Sequence, residues 1–591
     1  MSAQTGDSNL FVGKLMIEEL FRCGVDYFCL SPGARCTPLT VAAARHPTAR
    51  RRVFNDERAA AYHALGYARA TGRAAALICT SGTAAANYLP AVVEASMDML
   101  PMMMLTTDRP PELRDCGANQ VIHQPGLYER YVRWQFDLPC PDDNIPPEFV
   151  LTTVDQAVHR AHSGPAGPVH LNCMFREPLV PDNGGDDNRP DNPELARWRS
   201  RRQPFTLYEP RQSMLTDDHL DQVSAIMNSA ASGLLVVGRL AKDSERTAVA
   251  RLAQHLGWPV LPDILSGLRL GADTDNVIPY CDLLLQSVKP WTIDRPAVVL
   301  HLGGRVVSKR LVTFLKAASF DEYIHVADHP FRHDWQHMVT HRMEGSPAQF
   351  CDAVAPLVSP AGESRLLKQL RSASERFRAV VQRTMEVGDT LSDAGIARAV
   401  AADTPASHGL FVANSLPIRI LDSFADFKPQ SATRTPLAAC NRGASGIDGT
   451  IAAASGYAVG LARPVTLIIG DLAFLHDLNS LSIVRSIAHP LTIVLINNDG
   501  GGLFSLLPIA DCRDVFEKYF ATPHGLKFAA SAEQFGIDYH APKTSEEFAT
   551  CYRQAVLAEH PTLIEVATHR ETTRDLYHNL LTAARQIVAD P

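Results

Sequence analysis

The sequence lacks any apolar run approaching the roughly 20 residues that a membrane-spanning helix needs. Its first residues, Met1 to Asn9, are polar and show neither the basic nor the apolar region of a secretory signal. These two features lead to the expectation of a soluble, cytoplasmic protein. A surplus of positive charge is missing as well. The formal net charge is −8 over 591 residues, which argues against a general affinity for nucleic acid or anionic membrane, because both need a concentrated positive field. The 12 cysteines contain no C-x-x-C pair. Several, such as Cys79 and Cys281, lie inside apolar runs, so reduced, buried thiols are expected rather than a disulfide framework. There is no short-period repeat, and Gly443, Gly446 and Gly449 do not fit the G-x-G-x-x-G fingerprint of a nicotinamide site.

What is present is an ordinary globular composition, 46% hydrophobic and 20% charged. At roughly 100–200 residues per domain, the length asks for three or four domains. Short apolar runs at 26–30, 74–79 and 101–106 alternate with helical patterns, the mark of a parallel sheet covered by helices. The alternation returns with runs at 234–237, 298–302 and 323–326, and again at 411–413, 465–469, 491–496 and 563–566. The expected fold is therefore α/β, with three domains, each a mainly parallel sheet flanked by helices. The boundaries read as 1–183, a polar Pro- and Gly-rich linker at 184–204, a central domain at 205–360 and a C-terminal domain at 361–591. Within the first domain, Ala60, Ala61, Ala64, Leu65 and Ala68 recur at helical spacing after Asn55-Asp56-Glu57, and Gly72 supplies a stop. Glu57 is thereby expected in the first turn of a helix.

The most informative segment runs from the strand ending in Gly470-Asp471, through a helix, to the strand ending in Asn497-Asn498-Asp499-Gly500-Gly501-Gly502. In an open parallel sheet, ligands bind at the carboxyl ends of the strands, so Asp471 and Asn498 can converge there. An Asp carboxylate, an Asn carbonyl and a backbone carbonyl near Gly500 are hard oxygen donors of the kind magnesium selects, usually together with phosphate oxygens. The glycines would let backbone N–H groups approach a diphosphate. A flexible turn beside a helix-capping Asp satisfies the same spacing, so the residues alone leave both readings open.

This segment resembles the metal-diphosphate signature of the thiamin-diphosphate enzymes, which begins Gly-Asp and ends Asn-Asn. The third position, often glycine in that signature, is Leu472 here. The resemblance implies thiamin diphosphate as cofactor with magnesium, or manganese in its place, held by Asp471, Asn498 and Gly500. It further implies that Glu57 hydrogen-bonds the pyrimidine ring and promotes its basic tautomer. The Thr80–Asn87 loop is expected near the cofactor. The resemblance implies, too, a homodimer or homotetramer in which Glu57 and Asp471 would serve one cofactor from different subunits.

Four further segments are similar to one branch of that family, the 2-succinyl-5-enolpyruvyl-6-hydroxy-3-cyclohexene-1-carboxylate synthases of menaquinone biosynthesis. They are Ser31 to Leu39, Thr107 to Gln120, Asn414-Ser415 with Arg419, and Asn441 to Gly449; Ser308-Lys309-Arg310 and Phe504 to Pro508 add to them. This likeness implies decarboxylation of 2-oxoglutarate and addition of the four-carbon carbanion equivalent to isochorismate. It assigns Glu57, Arg35, Gln120, Ser415, Arg419 and Arg442 to catalysis and Arg109, Lys309 and Arg310 to substrate carboxylates. Ser415, Ile447, Leu503 and Phe504 join Glu57, Asp471, Asn498 and Gly500 around the cofactor, with Leu507 adding to the apolar wall. Arginines suit this task because their planar fork meets carboxylates bidentately. The chain departs from the branch at Ala34 and Cys36, where serine is usual, and at Asp499. Competing readings are another thiamin-diphosphate decarboxylase or carboligase, such as an acetolactate-synthase-like enzyme acting on pyruvate, and a silent α/β binding protein. His333, His337 and His341, four apart, would share a helix face, but no further ligand stands at convincing spacing, and an exposed polar segment is expected there.

Overall fold

The computed structural model describes residues 2–181, 192–209, 215–271, 274–287, 294–386, 391–426 and 438–589. Three parallel sheets organise the chain. The first joins β1 (Tyr27–Leu30), β2 (Arg50–Val53), β3 (Ala76–Cys79), β4 (Met102–Asp108), β5 (Trp134–Leu138) and β6 (Pro168–Met174) in the order β2-β1-β3-β4-β6-β5. The second joins β7 (Gly233–Val237), β8 (Val260–Pro262), β9 (Val298–Leu302), β10 (Glu322–Ala327) and β11 (His341–Glu344) in the order β11-β10-β9-β7-β8. The third joins β12 (Gly409–Val412), β13 (Ala438–Ala439), β14 (Val465–Gly470), β15 (Leu491–Asn497), β16 (Asp538–His540) and β17 (Thr562–Ala567) in the order β13-β12-β14-β15-β17-β16. The expected α/β class with three parallel sheets is the one found.

Central strands such as β15, Leu-Thr-Ile-Val-Leu-Ile-Asn, are apolar on both faces because helices cover both. The β2 strand, Arg-Arg-Arg-Val, carries no such signal. It lies at a sheet edge, where charged side chains reach solvent and deter pairing with another chain.

By contacts the described chain forms two compact units, Met1–Arg211 with Asn441–Ala462 and His476–His489, and Gln212–Cys440 with Arg463–Leu475 and Pro490–Pro591. In the first unit, the helix Glu57–Thr71 packs along the helix Thr450–Leu461. The second of these is apolar all round and buried from Thr450 to Ala458, as a helix without a solvent face should be. Glycine sets the close approach: a Cβ at Gly66 would lie 1.9 Å from the Ala453 carbonyl oxygen, and one at Gly456 would lie 1.8 Å from that of His63.

Part of the segment read as a linker is packed chain. Residues 184–191 lie outside the described residues, but Pro193–Ser200 is a helix whose Leu195 and Trp198 are buried. The Trp198 indole N–H donates to Glu19 Oε2 at 2.6 Å, and the Thr206 N–H donates to Asp155 Oδ2 at 2.7 Å. Two apolar residues three apart meet one groove of the first unit, a signal too short to stand out in a polar stretch.

The histidines at 333, 337 and 341 do not share a helix. His341 opens β11, and the other two lie in irregular chain. His333, expected on an exposed segment, is half-buried and lies 4.5 Å from His329, while His301 stacks on His325 at 4.3 Å. Among the described residues these histidines form no group with ligand atoms close enough to share a metal. No described helix is long and apolar enough to cross a membrane, and all 12 cysteines are free, with only Cys116 and Cys512 exposed.

Candidate active site

In the second unit, β14 and β15 are neighbours in register, with Gly470 opposite Ile496, so their carboxyl ends bring Asp471 and Asn498 together. Asp471 is buried and opens a short helix; its Oδ2 accepts the N–H groups of Asn498 at 3.1 Å and Gly500 at 2.9 Å, and its Oδ1 accepts that of Leu472 at 2.7 Å. His524 Nε2 stands 3.2 Å from the same Oδ2. Burial raises the Asp471 carboxyl above its ordinary range, against the lowering effect of these N–H donors. Asn498 Oδ1, also buried, accepts no hydrogen bond from any described residue. An orphaned buried carbonyl oxygen is costly, and a hard cation beside a buried carboxylate is what would complete it.

The glycine run has a second reason besides approach to a ligand. A Cβ at Gly500, where φ is +123°, would lie 2.0 Å from the Ala521 carbonyl oxygen, and one at Gly501 would lie 2.4 Å from that of Phe520. Only at Gly502 would a Cβ crowd the Asn498 amide, at 2.5 Å from its nitrogen. The Gly500 carbonyl already accepts the Gly502 N–H at 2.9 Å and keeps one lone pair. Asp499, a departure from the branch, accepts the N–H groups of His524 and Gly525 and so anchors the loop that carries His524.

Leu503 and Phe504 follow on a 3-10 turn, both half-buried, with Phe504 edge-on to Phe520 at 5.8 Å; Leu507 is exposed. Ser415 adopts φ +67° and ψ −126° immediately before the helix Leu416–Phe424, and its carbonyl accepts from Arg419. Such backbone outliers cost about 1–3 kcal/mol and cluster at functional sites. Lys309 is exposed at the start of a helix. Arg310 is turned inward, with Nη1 2.6 Å from Asp282 Oδ2 and its guanidinium 5.5 Å from the Tyr577 ring.

The first unit holds a separate group of expected residues at the carboxyl ends of its strands. Glu57 begins the helix Glu57–Thr71, as expected, with Asp56 capping it by accepting the Ala59 N–H and Gly72 ending it in left-handed geometry. The Glu57 charge adds to burial in pushing up the Cys36 and Cys79 thiols. Arg35 is buried and donates to the Phe175 carbonyl at 2.8 Å and to Glu177 Oε1 at 2.9 Å. Arg109 donates to Ser81 Oγ and to the Gln120 carbonyl, and Gln120, at φ +61°, donates to the Ser81 carbonyl at 2.9 Å. Burial and then the nearby Arg35 charge lower the Arg109 pKa. Two cations close enough to repel favour an anion between them. Arg442 and Ile447 lie half-buried in the Asn441 to Gly449 turn of this same unit.

Sequence reasoning did not single out Ser81, Glu177, His524 or Glu94 as site residues. Ser81 and Glu177 are defined by pairing with arginines far along the chain, which no local pattern records. Glu94 carried a local sign, a lone charge in the apolar helix Leu89–Met97.

Three family models cover the chain: the N-terminal TPP binding domain of thiamine pyrophosphate enzymes at residues 11–127, the middle domain of thiamine pyrophosphate enzymes at 192–412, and the C-terminal TPP binding domain at 424–566. The chain is 47% identical over 98% of its length to the 2-succinyl-5-enolpyruvyl-6-hydroxy-3-cyclohexene-1-carboxylate synthase of Rubrobacter xylanophilus, covering 99% of that protein. It is 43% identical to the synthases of the same name from Chlorobium phaeobacteroides, over 94% of each chain, and from Salinibacter ruber, over 98% of this chain and 97% of the other. The chain therefore belongs to the 2-succinyl-5-enolpyruvyl-6-hydroxy-3-cyclohexene-1-carboxylate synthase family of the thiamine pyrophosphate enzymes.

Proposed function

We propose that this protein decarboxylates 2-oxoglutarate and joins the four-carbon remainder to isochorismate, forming 2-succinyl-5-enolpyruvyl-6-hydroxy-3-cyclohexene-1-carboxylate for menaquinone biosynthesis. The observation that carries the chemistry is that Asp471 Oδ2 accepts the Asn498 backbone N–H at adjacent strand ends while the Asn498 side-chain oxygen accepts nothing from the described residues. Asp471, Asn498 and the Gly500 carbonyl would hold magnesium or manganese against a diphosphate. Thiamin diphosphate, when bound, supplies the carbon nucleophile and the electron sink that decarboxylation of a 2-oxo acid requires.

The chain's own residues do the rest. Glu57 would hydrogen-bond the pyrimidine ring and favour protonation of the ring nitrogen, which promotes the ring's basic tautomer. Leu503, Phe504 and Leu507 would form an apolar wall that keeps water from the reacting carbon, and Ser415 would stand against the cofactor. Arg35, Arg109, Gln120, Lys309, Arg310, Arg419 and Arg442 orient the carboxylates of two acidic substrates. At an effective dielectric near 20, opposite charges 4 Å apart attract by ~4 kcal/mol before desolvation is subtracted. The smallest active assembly is a homodimer, which sedimentation of the active species tests.

The deciding experiment supplies purified protein with thiamin diphosphate and Mg²⁺ and follows carbon dioxide release from 2-oxoglutarate and from pyruvate, with and without isochorismate. Turnover of 2-oxoglutarate accelerated by isochorismate, with the carboxylated cyclohexene product appearing, is expected. Preference for pyruvate would overturn the substrate assignment, and turnover of neither would overturn the activity.

A further inference from the structure

The helix Leu89–Met97 carries a single charged residue, Glu94, which is 2% exposed, with Val92 and Ala95 nearby fully buried. A carboxylate in such a place is costly unless hydrogen-bonded and paired. Its partners are consecutive backbone groups of the Asn441 to Gly449 turn. Glu94 Oε1 accepts the Gly443 N–H at 2.7 Å, and Oε2 accepts those of Ala444 at 2.6 Å and Ser445 at 3.3 Å. Three successive N–H groups aimed at one carboxylate form an anion-binding nest, and here the anion belongs to the chain itself. Ser445 completes the turn at φ +63°.

The turn is held at other points by this helix and by the helix Glu57–Thr71. A Cβ at Gly443 would lie 2.3 Å from the Glu94 carbonyl oxygen, so the approach requires glycine. The Tyr62 hydroxyl donates to Asp448 Oδ2 at 2.5 Å, and Gly449, at φ +60°, lies against the Tyr62 ring. Arg69 bridges the two acids of the helix Leu89–Met97 and its cap, with Nη1 2.5 Å from Asp98 Oδ2 and Nη2 3.6 Å from Glu94 Oε1. Of these contacts, only the Glu94 carboxylate touches the backbone on both sides of Ala444, immediately after Arg442.

We propose that Glu94 is a positioning residue for the reaction: by clamping the N–H groups of residues 443–445 it fixes the direction in which Arg442 leaves the turn, and so the placement of that guanidinium on a substrate carboxylate. The inference rests on the assignment of Arg442 to substrate, and goes beyond it by naming what holds Arg442 in place. Glu94 itself does not touch substrate. Glutamine at this position keeps the volume but puts an NH₂ against one of the three donors, which opens the clamp. Aspartate keeps the charge and loses the reach.

The test is a double-mutant cycle on holoenzyme, reading kcat and KM for each substrate together with the melting temperature. Glu94→Gln and Arg442→Ala are each expected to lower kcat/KM about ten- to a hundredfold. If Glu94 acts through Arg442, the double variant should match Arg442→Ala to within about threefold, because coupled residues do not add. Losses that multiply, or a Glu94→Gln enzyme with wild-type kcat/KM beside an impaired Arg442→Ala, would overturn the positioning role alone. A wild-type kcat/KM in Arg442→Ala would instead overturn the assignment of Arg442 and the inference with it. Should Glu94→Gln yield no folded holoenzyme, Glu94→Asp carries the same cycle with the same criteria.

Discussion

The Asn498 backbone N–H lies 3.1 Å from Asp471 Oδ2, while the Asn498 side-chain oxygen accepts nothing from the described residues. The two residues therefore differ in what the protein loses with each. Asp471→Ala leaves the N–H groups of Leu472, Asn498 and Gly500 without an acceptor, at about 1–3 kcal/mol for each that water cannot reach. Asn498→Leu removes an atom that is already unsatisfied. Both variants should bind Mg²⁺ and thiamin diphosphate at least tenfold more weakly, but only Asp471→Ala should melt at a clearly lower temperature without cofactor. Cofactor titration by fluorescence and thermal melting separate the two, and equal melting of all three proteins would contradict the scheme.

Glu57→Gln should keep the fold, because Asp56 rather than Glu57 caps the helix Glu57–Thr71. Cofactor affinity is expected to stay within about tenfold, whereas turnover falls by roughly two to four orders of magnitude, the range for losing a proton-transfer group. Calorimetric cofactor binding beside steady-state rates checks this. A variant retaining a tenth of the activity would remove Glu57 from the chemistry.

Lys309 and Arg310 are adjacent in sequence but differ in surroundings. Lys309 is exposed, and Lys309→Ala should leave stability within about 0.5 kcal/mol. Arg310 is paired with Asp282, whose side chain is 6% exposed and also accepts from Ser308 and Ser423. Breaking a buried pair costs roughly 3–5 kcal/mol, and the lower end applies because Arg310 keeps some solvent contact. Urea unfolding should show Arg310→Ala destabilised and Lys309→Ala unchanged, whatever each does to the rates. Half-reaction rates then ask which substrate each serves, by following 2-oxoglutarate addition separately from isochorismate consumption.

Burial pushes the Glu19 carboxyl up to about 8, and its hydrogen bond with Asp155 adds to the rise. A carboxyl with a raised folded pKa holds a proton that the unfolded chain has already released. Its contribution is therefore fully present below about 4.5 and is lost as the pH rises through about 8. Glu19 and Asp155 together hold Trp198, Phe205 and Thr206, so the loss should loosen the 198–206 segment. Unfolding free energy should decline between pH 5 and 8, and Glu19→Gln, which keeps a neutral group there, should flatten that slope. An unchanged slope in the variant would sink the assignment.

Much of the architecture was legible along the chain because its signals are local. Buried parallel strands need continuous apolar runs, so β9 at Val298–Leu302 and β14 at Val465–Gly470 could be read almost residue for residue. The Asp56 cap and the Gly72 stop bounded the helix bearing Glu57 for the same reason. The Gly-Asp and Asn-Asn ends of two adjacent strands pointed to one another because in a parallel sheet both must emerge at the same edge. The edge strand β2 and the packed helix Pro193–Ser200 were not legible. An exposed strand can be written in arginines, and a short helix needs only two buried residues.

What the sequence by itself determined is the α/β class, the strand ends that carry Asp471 and Asn498, and the helix start that carries Glu57, all consequences of backbone periodicity and capping. Only the tertiary structure decided which partners complete those residues. It grouped Asn441–Ala462 with the N-terminal unit, tied the turn bearing Arg442 to Glu94 from a helix some 350 residues earlier, and turned Arg310 toward Asp282 while Lys309 stayed in solvent. Those outcomes depend on burial and on hydrogen bonds between distant segments. A carboxylate costs little in water and much in an apolar helix, and that difference exists only once the chain has folded around it.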